Sequence, residues 1–346
     1  MPIVSRSQRL KKDLGLFDVY AICTGAMFSS GFFLLPGLAA AKAGPSVVVA
    51  YLIAGILILP AMFSKAELST ALPRAGGTYY FLDRSLGPMF GTIGGLGTYL
   101  ALTLKTAFAL IGIGAYAVLF VDLPIRPVAI LLTVVFVIIN VVGARETSGL
   151  QRGLVVILLT VMVFFIGQGF HEIVFEQSRE VTRSRFSPFA TFGLEGVLST
   201  VGFVFVSYAG LTKVASVAEE VRDPERNIPL GMILSLTSTT VVYVAGVFIM
   251  VAILEPNVMH ADLTPVATAA EAFFDWLPYP LGLVLIVAAA LAAFASTGNA
   301  GVLSASRYPL AMARDRLLPE GFARLGRFRT PTASILATGL LIMVFI

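Results

Sequence analysis

An all-α integral membrane protein is the fold class this sequence predicts, and three observations carry the prediction. Hydrophobic residues make up 57% of the 346 and charged ones only 13%, with a mean hydropathy of +0.90. A soluble protein of this length needs more charge on its surface. Apolar runs recur along the whole chain, most of them at or above the roughly 20 residues a helix needs to cross a bilayer. The runs are continuous, whereas a membrane barrel shows short alternating strands, and only helices and closed barrels satisfy their backbone in lipid.

Nine segments are read as spans. The first, 16–41, follows Arg6, Arg9, Lys11 and Lys12 and precedes "AAAKAG". Its apolar stretch is about twice a signal-peptide core, and a second span, 46–67, follows directly, so it is not read as a cleaved leader. The third, 88–121, opens with "GTIGGLGTYLAL", a pattern suited to close helix packing, and carries Lys105 midway. Spans 4 and 5 are 124–144 and 150–171. Span 6, 193–219, contains "VSYAGLTK"; span 7 is 228–254; span 8, 278–305, contains "AFASTGNAG". The ninth, 331–346, runs to the last residue in "LLIMVFI" without a flanking charge or loop, and is read as a helix cut short. One cysteine, Cys23, excludes an intrachain disulfide and a cysteine metal cluster.

Charge predicts the orientation. With the N-terminus cytoplasmic, 17 of the 24 Lys and Arg fall in inside segments, 5 outside, and Lys105 and Lys213 within spans, which favours that orientation over its inverse. The outside loop "EPNVMHADLTPVATAAEAFFDW" carries no Lys or Arg; within it 263–276 is expected to form a short amphipathic helix capped by Asp262. The resulting division is a cytoplasmic N-terminus (1–15), a first five-span unit (16–171), an extracytoplasmic loop (172–192) and a second, incomplete unit (193–346). The location expected is the plasma membrane, crossed many times.

Two spans carry positions that weaken a helix. "GAMFSSGFFLLPG" in span 1 has Gly25, Ser29, Ser30 and Gly31; "VSYAGLTK" in span 6 has Tyr208, Ala209 and Gly210. They lie five spans apart and so enter from opposite sides. Interrupted helices at matching positions of two inverted units point to a transporter binding site, because broken ends offer free N–H groups to an anion and free carbonyls to a cation. An amino acid zwitterion needs both. Close packing is the alternative use of such residues.

Four ordered stretches resemble the amino acid–polyamine–organocation (APC) superfamily of permeases: "DVYAICTGAMFSSGFFLLPGLAAAKAGP", "AELSTALPRAGGTYYFLDRSLGP", "SYAGLTKVASVAEEVRDPERNIPLG" and "SASRYPLAMARDRLLP". The resemblance implies a LeuT-like fold of two inverted five-helix repeats, usually within twelve spans, here truncated within transmembrane helix 9. It implies that Ser29, Ser30 and Gly31 receive a substrate carboxylate, that carbonyls near Cys23, Gly25 and Ala26 and near Tyr208, Ala209 and Gly210 receive its ammonium, and that Phe205 or Tyr208 stands in for an aromatic gate that Val206 does not supply. In some members a lysine in span 5 replaces a sodium ion; here Leu158 lies near that place.

Ion coupling is open among three routes. Lys105 lies too deep to snorkel easily, so it must face the interior, pair, or give up its proton. That makes it a candidate proton carrier, or else an anchor to helix-end carbonyls; Lys213 is a second such lysine, read more as structural. Ser296 and Thr297, with carbonyls around Ala21, Ile22 and Thr24, offer oxygens suited to sodium. Protons are preferred to sodium, and exchange without a driving ion is the third route. No cofactor and no metal is assigned. Asp18, Glu219, Glu220, Arg222, Asp223, Glu225 and Arg226 are expected either to pair across an inner gate or to sit as solvated helix ends. Catalysis is disfavoured by the lack of His or Cys clusters, paired carboxylates or a nucleotide loop, and a channel by the lack of filter loops or charge rings. The expected function is secondary active transport of neutral amino acids by alternating access, with proton symport ahead of exchange or of a non-transporting sensor. The partners are the amino acid and the lipid bilayer, with no nucleic acid.

Overall fold

The computed structural model describes residues 10–120 and 124–346. Arg6 and Arg9, counted in the orientation argument, and Val121, the expected end of span 3, lie outside the described residues. Span 1 forms three pieces, α1 (Leu16–Met27), α2 (Ser30–Phe33) and α3 (Leu35–Ala43). Span 2 is α4 (Val47–Leu57) running into α5 (Leu59–Ala71), the junction falling at Ile58 just before Pro60, whose ring cannot continue the hydrogen-bond ladder. A short α6 (Thr78–Leu86) leads into the long α7 (Pro88–Ala117); α8 (Ile125–Val142) and α9 (Ala144–His171) complete the first five spans.

The loop that follows carries α10 (Arg179–Arg185). Span 6 is α11 (Gly193–Tyr208) continued by a 3-10 stretch, Ala209–Glu220, and span 7 is α12 (Pro224–Ile253). Two short helices follow, α13 (Pro256–Ala261) and α14 (Pro265–Phe273), the second where the amphipathic helix was expected. Asp262 holds its start, accepting from the Thr264 N–H at 2.7 Å and from the Thr268 hydroxyl at 2.5 Å. Span 8 is α15 (Leu281–Ala305), followed by α16 (Arg307–Arg314) and by α17 (Thr332–Phe345), the ninth apolar segment. Seven helical runs among the described residues are long and apolar enough to cross a membrane. The count is lower than nine because α3 runs on into span 2 as one stretch, Leu35–Ala71, leaving α1 with 12 residues, and α17 has only 14.

The core sits around α1, with α12, α9, α15 and the 3-10 stretch packed about it. Phe28, Phe32, Phe33, Tyr51, Tyr208 and Tyr243 are fully buried there. Lipid-directed faces carry the exposed apolar residues, such as Ile93, Leu131, Val163 and Leu340. This is the inverse of a soluble fold, and what a hydrocarbon solvent requires.

Candidate functional site

Span 1 breaks where its sequence is weakest. α1 ends at Met27; Phe28 and Ser29 leave helical space, and α2 resumes at Ser30. The non-helical residues, Phe28 and Ser29, therefore overlap the expected Ser29–Gly31 centre only at Ser29, which precedes the new helix without a side-chain cap bond. Ser30 and Gly31 are already its first turn, whose N–H groups have no intrahelical acceptor.

The carbonyls freed by the break are taken by side chains of neighbouring spans. The Thr297 hydroxyl donates to the Gly25 carbonyl at 2.7 Å, Tyr243 to Met27 at 2.8 Å, Tyr51 to Gly31 at 2.7 Å and Tyr116 to Phe33 at 2.6 Å. Four spans thus pin one interrupted helix, which is how an irregular backbone is tolerated at membrane depth.

The second weak stretch meets the first. Span 6 does not unwind at Tyr208–Gly210 but changes from α to 3-10, and the 3-10 stretch is 12 residues long, well beyond the usual three or four. A Cβ on Gly210 would lie 2.1 Å from the Ala26 carbonyl oxygen and 2.7 Å from the Met27 nitrogen. Only glycine lets the two backbones come this close. One turn away, a Cβ on Gly31 would lie 2.5 Å from that of Ser207. Ser207 is buried and its hydroxyl has no partner. Nothing in "VSYAG" taken alone marks this serine out from its neighbours.

The other expected residues divide. Tyr208 turns its hydroxyl to the Tyr51 carbonyl at 3.0 Å and its ring to Tyr243, and so braces span 2. Phe205 is half-buried, while Val206 and Ala209 are exposed and face away from the break. Aromatic cover at the break comes from Phe28, Phe32 and Tyr243, with ring centres 5.2 to 5.9 Å apart. Cys23 is buried, its thiol donating to the Leu211 carbonyl at 3.3 Å; Ile22 is likewise core.

The oxygens suited to sodium are engaged by an amide that the sequence reading left unassigned. Gln151 of α9 donates its side-chain nitrogen to the Ala21 carbonyl at 3.2 Å and to the Ser296 hydroxyl at 2.5 Å, and its oxygen accepts from Asn299 at 3.1 Å. Asn299 also donates to the Thr147 carbonyl and accepts from Asn140. Spans 1, 4, 5 and 8 are therefore tied by one buried uncharged chain. Gln151 lies one residue inside the boundary expected for span 5, but α9 starts earlier, at Ala144, which places this amide a further two turns into the helix.

The intramembrane lysines lie near one another on the other flank. Lys105 of α7 reaches the Val206 carbonyl at 3.4 Å, a helix-end contact of the anchoring kind. Lys213, in the 3-10 stretch, is 3% exposed and its ammonium has no hydrogen-bond partner.

Below the break, on the side of the N-terminus, the charges pair. Arg307 makes a bidentate contact with Glu220 at 2.8 and 2.9 Å, both buried. Arg314 pairs with Glu219 at 2.6 Å, and Glu219 also accepts from the backbone N–H of Leu10 and Ala75. Leu14 bridges to Val221, and Asp18 pairs with Arg152 at 3.2 Å. These contacts join the segment before span 1, the end of span 6 and the segment after span 8. Asp223, Glu225 and Arg226 are exposed helix-start residues by contrast.

Comparison with known proteins places this geometry. A profile described as "Amino acid permease" matches residues 18–346. An uncharacterized transporter of Mycobacterium tuberculosis is 30% identical over 332 residues, covering 95% of this chain and 72% of that protein. The vacuolar cationic amino acid transporter 4 of Arabidopsis thaliana is 28% identical over 354 residues, with 96% and 58% covered. The methylthioribose transporter of Bacillus subtilis is 25% identical over 360 residues, with 97% and 75% covered. Among solved structures, a Na+-coupled sialic acid symporter in a substrate-bound outward-open state superposes with a TM-score of 0.69 at 14% identity, covering 99% of this chain and 78% of that one. The LeuT-like fold expected from the sequence is the one this chain adopts.

Proposed function

The chain belongs to the amino acid permease family, and from that premise we propose that it moves neutral amino acids across the plasma membrane by alternating access, as a proton symporter with its N-terminus in the cytoplasm. The meeting of the two interrupted spans carries this reading. The free N–H groups of Ser29, Ser30 and Gly31 suit a carboxylate, and the partnerless Ser207 hydroxyl beside Gly31 adds a donor to the same side. The closed ion pairs at Glu219 and Glu220 form the gate on the N-terminal side.

Two lysines within spans, neither ion-paired to an acid among the described residues, disfavour a cationic substrate through repulsion. They are also the candidate proton sites, Lys105 beside the Val206 carbonyl of span 6 and Lys213 with an ammonium that has no hydrogen-bond partner. The Gln151 amide at the Ala21 carbonyl and Ser296 hydroxyl argues against sodium there, and equally favours exchange as the second reading.

The test is uptake of a labelled amino acid panel in proteoliposomes made with the complete reading frame that encodes this chain, with and without an imposed pH gradient. Neutral amino acids are expected to lead and to accumulate with the proton gradient. Arginine or putrescine as the best substrate overturns the substrate class. Equal uptake with and without the gradient, but stimulated by internal substrate, replaces symport by exchange. Lys105→Ala is expected to abolish pH dependence while leaving some exchange.

A further inference from the structure

We propose that Gln151 stands where a coupling cation would otherwise sit: its side-chain nitrogen ties α1 to α15 as a fixed, uncharged brace, and no cation is taken up at this point. The oxygens that the sequence offers to sodium are the carbonyls around Ala21, Ile22 and Thr24 and the hydroxyls of Ser296 and Thr297. The Gln151 nitrogen donates to the Ala21 carbonyl at 3.2 Å and to the Ser296 hydroxyl at 2.5 Å. The Thr24 carbonyl accepts from the Phe28 N–H at 3.0 Å, and the Thr297 hydroxyl donates to the Gly25 carbonyl at 2.7 Å.

Main-chain carbonyls fix which end of the amide faces α1. Asn140 donates to the Phe136 carbonyl at 2.8 Å and to the Asn299 side-chain oxygen at 3.1 Å. Asn299 therefore turns its nitrogen the other way, to the Thr147 carbonyl and the Gln151 oxygen, each at 3.1 Å. With its oxygen so engaged, Gln151 has its nitrogen left for Ala21 and Ser296. Turning the amide over would set oxygen against the Ala21 carbonyl and nitrogen against nitrogen at Asn299. Carbonyls of α8, α9 and α1 thus impose the polarity of the whole chain of amides.

Space and charge leave nothing for an ion beside the amide. A Cβ on Gly25 would lie 1.8 Å from the Ser296 oxygen, 2.4 Å from the Gln151 nitrogen and 3.0 Å from the Val155 side chain, so α1, α9 and α15 touch here. Asn140, Thr147, Gln151, Ser296 and Asn299 are fully buried, and all are uncharged. A cation among them would be a buried charge without a counter-ion, which is costly. An amide nitrogen meets the same lone pairs without that cost.

For the transport proposed above, the consequence is a cycle that neither needs nor releases sodium at this point. A bound ion leaves when its site opens, whereas Gln151 stays attached to α9, so α1 and α15 part from it only by helix movement. An amide does not titrate, so a driving proton is carried by another group.

The probe is the sodium ion itself. Melting midpoints of the purified protein are measured in sodium chloride and in N-methylglucamine chloride at equal ionic strength. The parent is expected to melt at the same temperature in both salts. Gln151→Glu keeps the side-chain shape but sets a carboxylate against the Ala21 carbonyl, which requires a proton or a cation between them. Relative to the parent, it is expected to melt lower as pH rises and to regain stability in sodium. Gln151→Leu, with neither donor nor charge, is expected to lose stability equally in both salts. A parent midpoint that rises with sodium overturns the proposal, and that measurement needs no variant to fold. A Gln151→Glu protein as indifferent to pH and sodium as the parent overturns it as well. Melting is read without turnover, so a failed uptake assay leaves this test intact.

Discussion

Replacing Gly210 by Ala tests whether the meeting of the two breaks organises the site. The added Cβ would lie 2.1 Å from the Ala26 oxygen, 2.3 Å from the Ala26 carbonyl carbon and 2.7 Å from the Met27 nitrogen. A carbon resting on a carbonyl oxygen sits at about 3.3 Å or more, so the backbones must part by about 1.2 Å. All three atoms are main chain and cannot rotate aside. Overpacking of this kind costs about 1–3 kcal/mol, and a shift near 1 Å at a binding geometry costs on the order of 100-fold in rate. Gly202, two turns earlier in α11, has nothing within 4 Å of its ideal Cβ; there alanine stabilises, by up to about 1 kcal/mol from helix propensity. Melting midpoints in detergent and initial uptake rates of the two variants are compared. Gly210→Ala is expected to melt lower and lose nearly all uptake, while Gly202→Ala melts at or above the parent with uptake intact. Equal behaviour of the two refutes the argument.

Other outcomes follow from the same contacts. Arg307→Met strands a buried Glu220 and is expected to cost about 3–5 kcal/mol, most of which the double variant Arg307→Met/Glu220→Met recovers; thermal melts of the set decide it. Opening that gate is also expected to speed alkylation of Cys23, the single cysteine and a buried one. Gln151→Leu leaves the Asn299 amide, the Ala21 carbonyl and the Ser296 hydroxyl each short of a partner, an expected loss of about 1–3 kcal/mol per group, measured by melting. Burial holds the His260 imidazole below its ordinary 6.5. The folded state therefore binds that proton less readily than the unfolded chain, so its stabilising contribution is present above about pH 6.5 and is lost as pH falls below that through the lower folded-state value. His260→Asn is expected to flatten that part of the pH–stability curve.

Much of the fold was legible because lipid leaves few choices. Apolar run length located the spans to within a few residues in most cases, and the Ser-Ser-Gly and Ala-Gly clusters located both interruptions. What each interruption became was not legible. Ser29 to Gly31 read as one unwound segment, yet Ser30 and Gly31 joined the following helix. Tyr208 to Gly210 read as a break, yet the chain there only tightened into a 3-10 stretch, with Gly210 resting against the Ala26 carbonyl. Ser207 and Gln151 were not legible for the same reason: a lone serine beside a tyrosine, and a lone glutamine, take their meaning from neighbours more than 100 residues away, Gly31 for the one and Ser296 for the other.

Composition and run length by themselves determined that this chain is a helical bundle in a membrane and where its helices are weak, since both follow from local hydropathy and backbone propensity. Only the tertiary structure decided which groups satisfy the weakened backbone. Tyr51, Tyr116, Tyr243, Thr297 and Gln151 each come from a different span or a different depth to meet span 1. Hydrogen bonds between distant segments depend on how helices cross, and no local pattern in the sequence encodes that crossing.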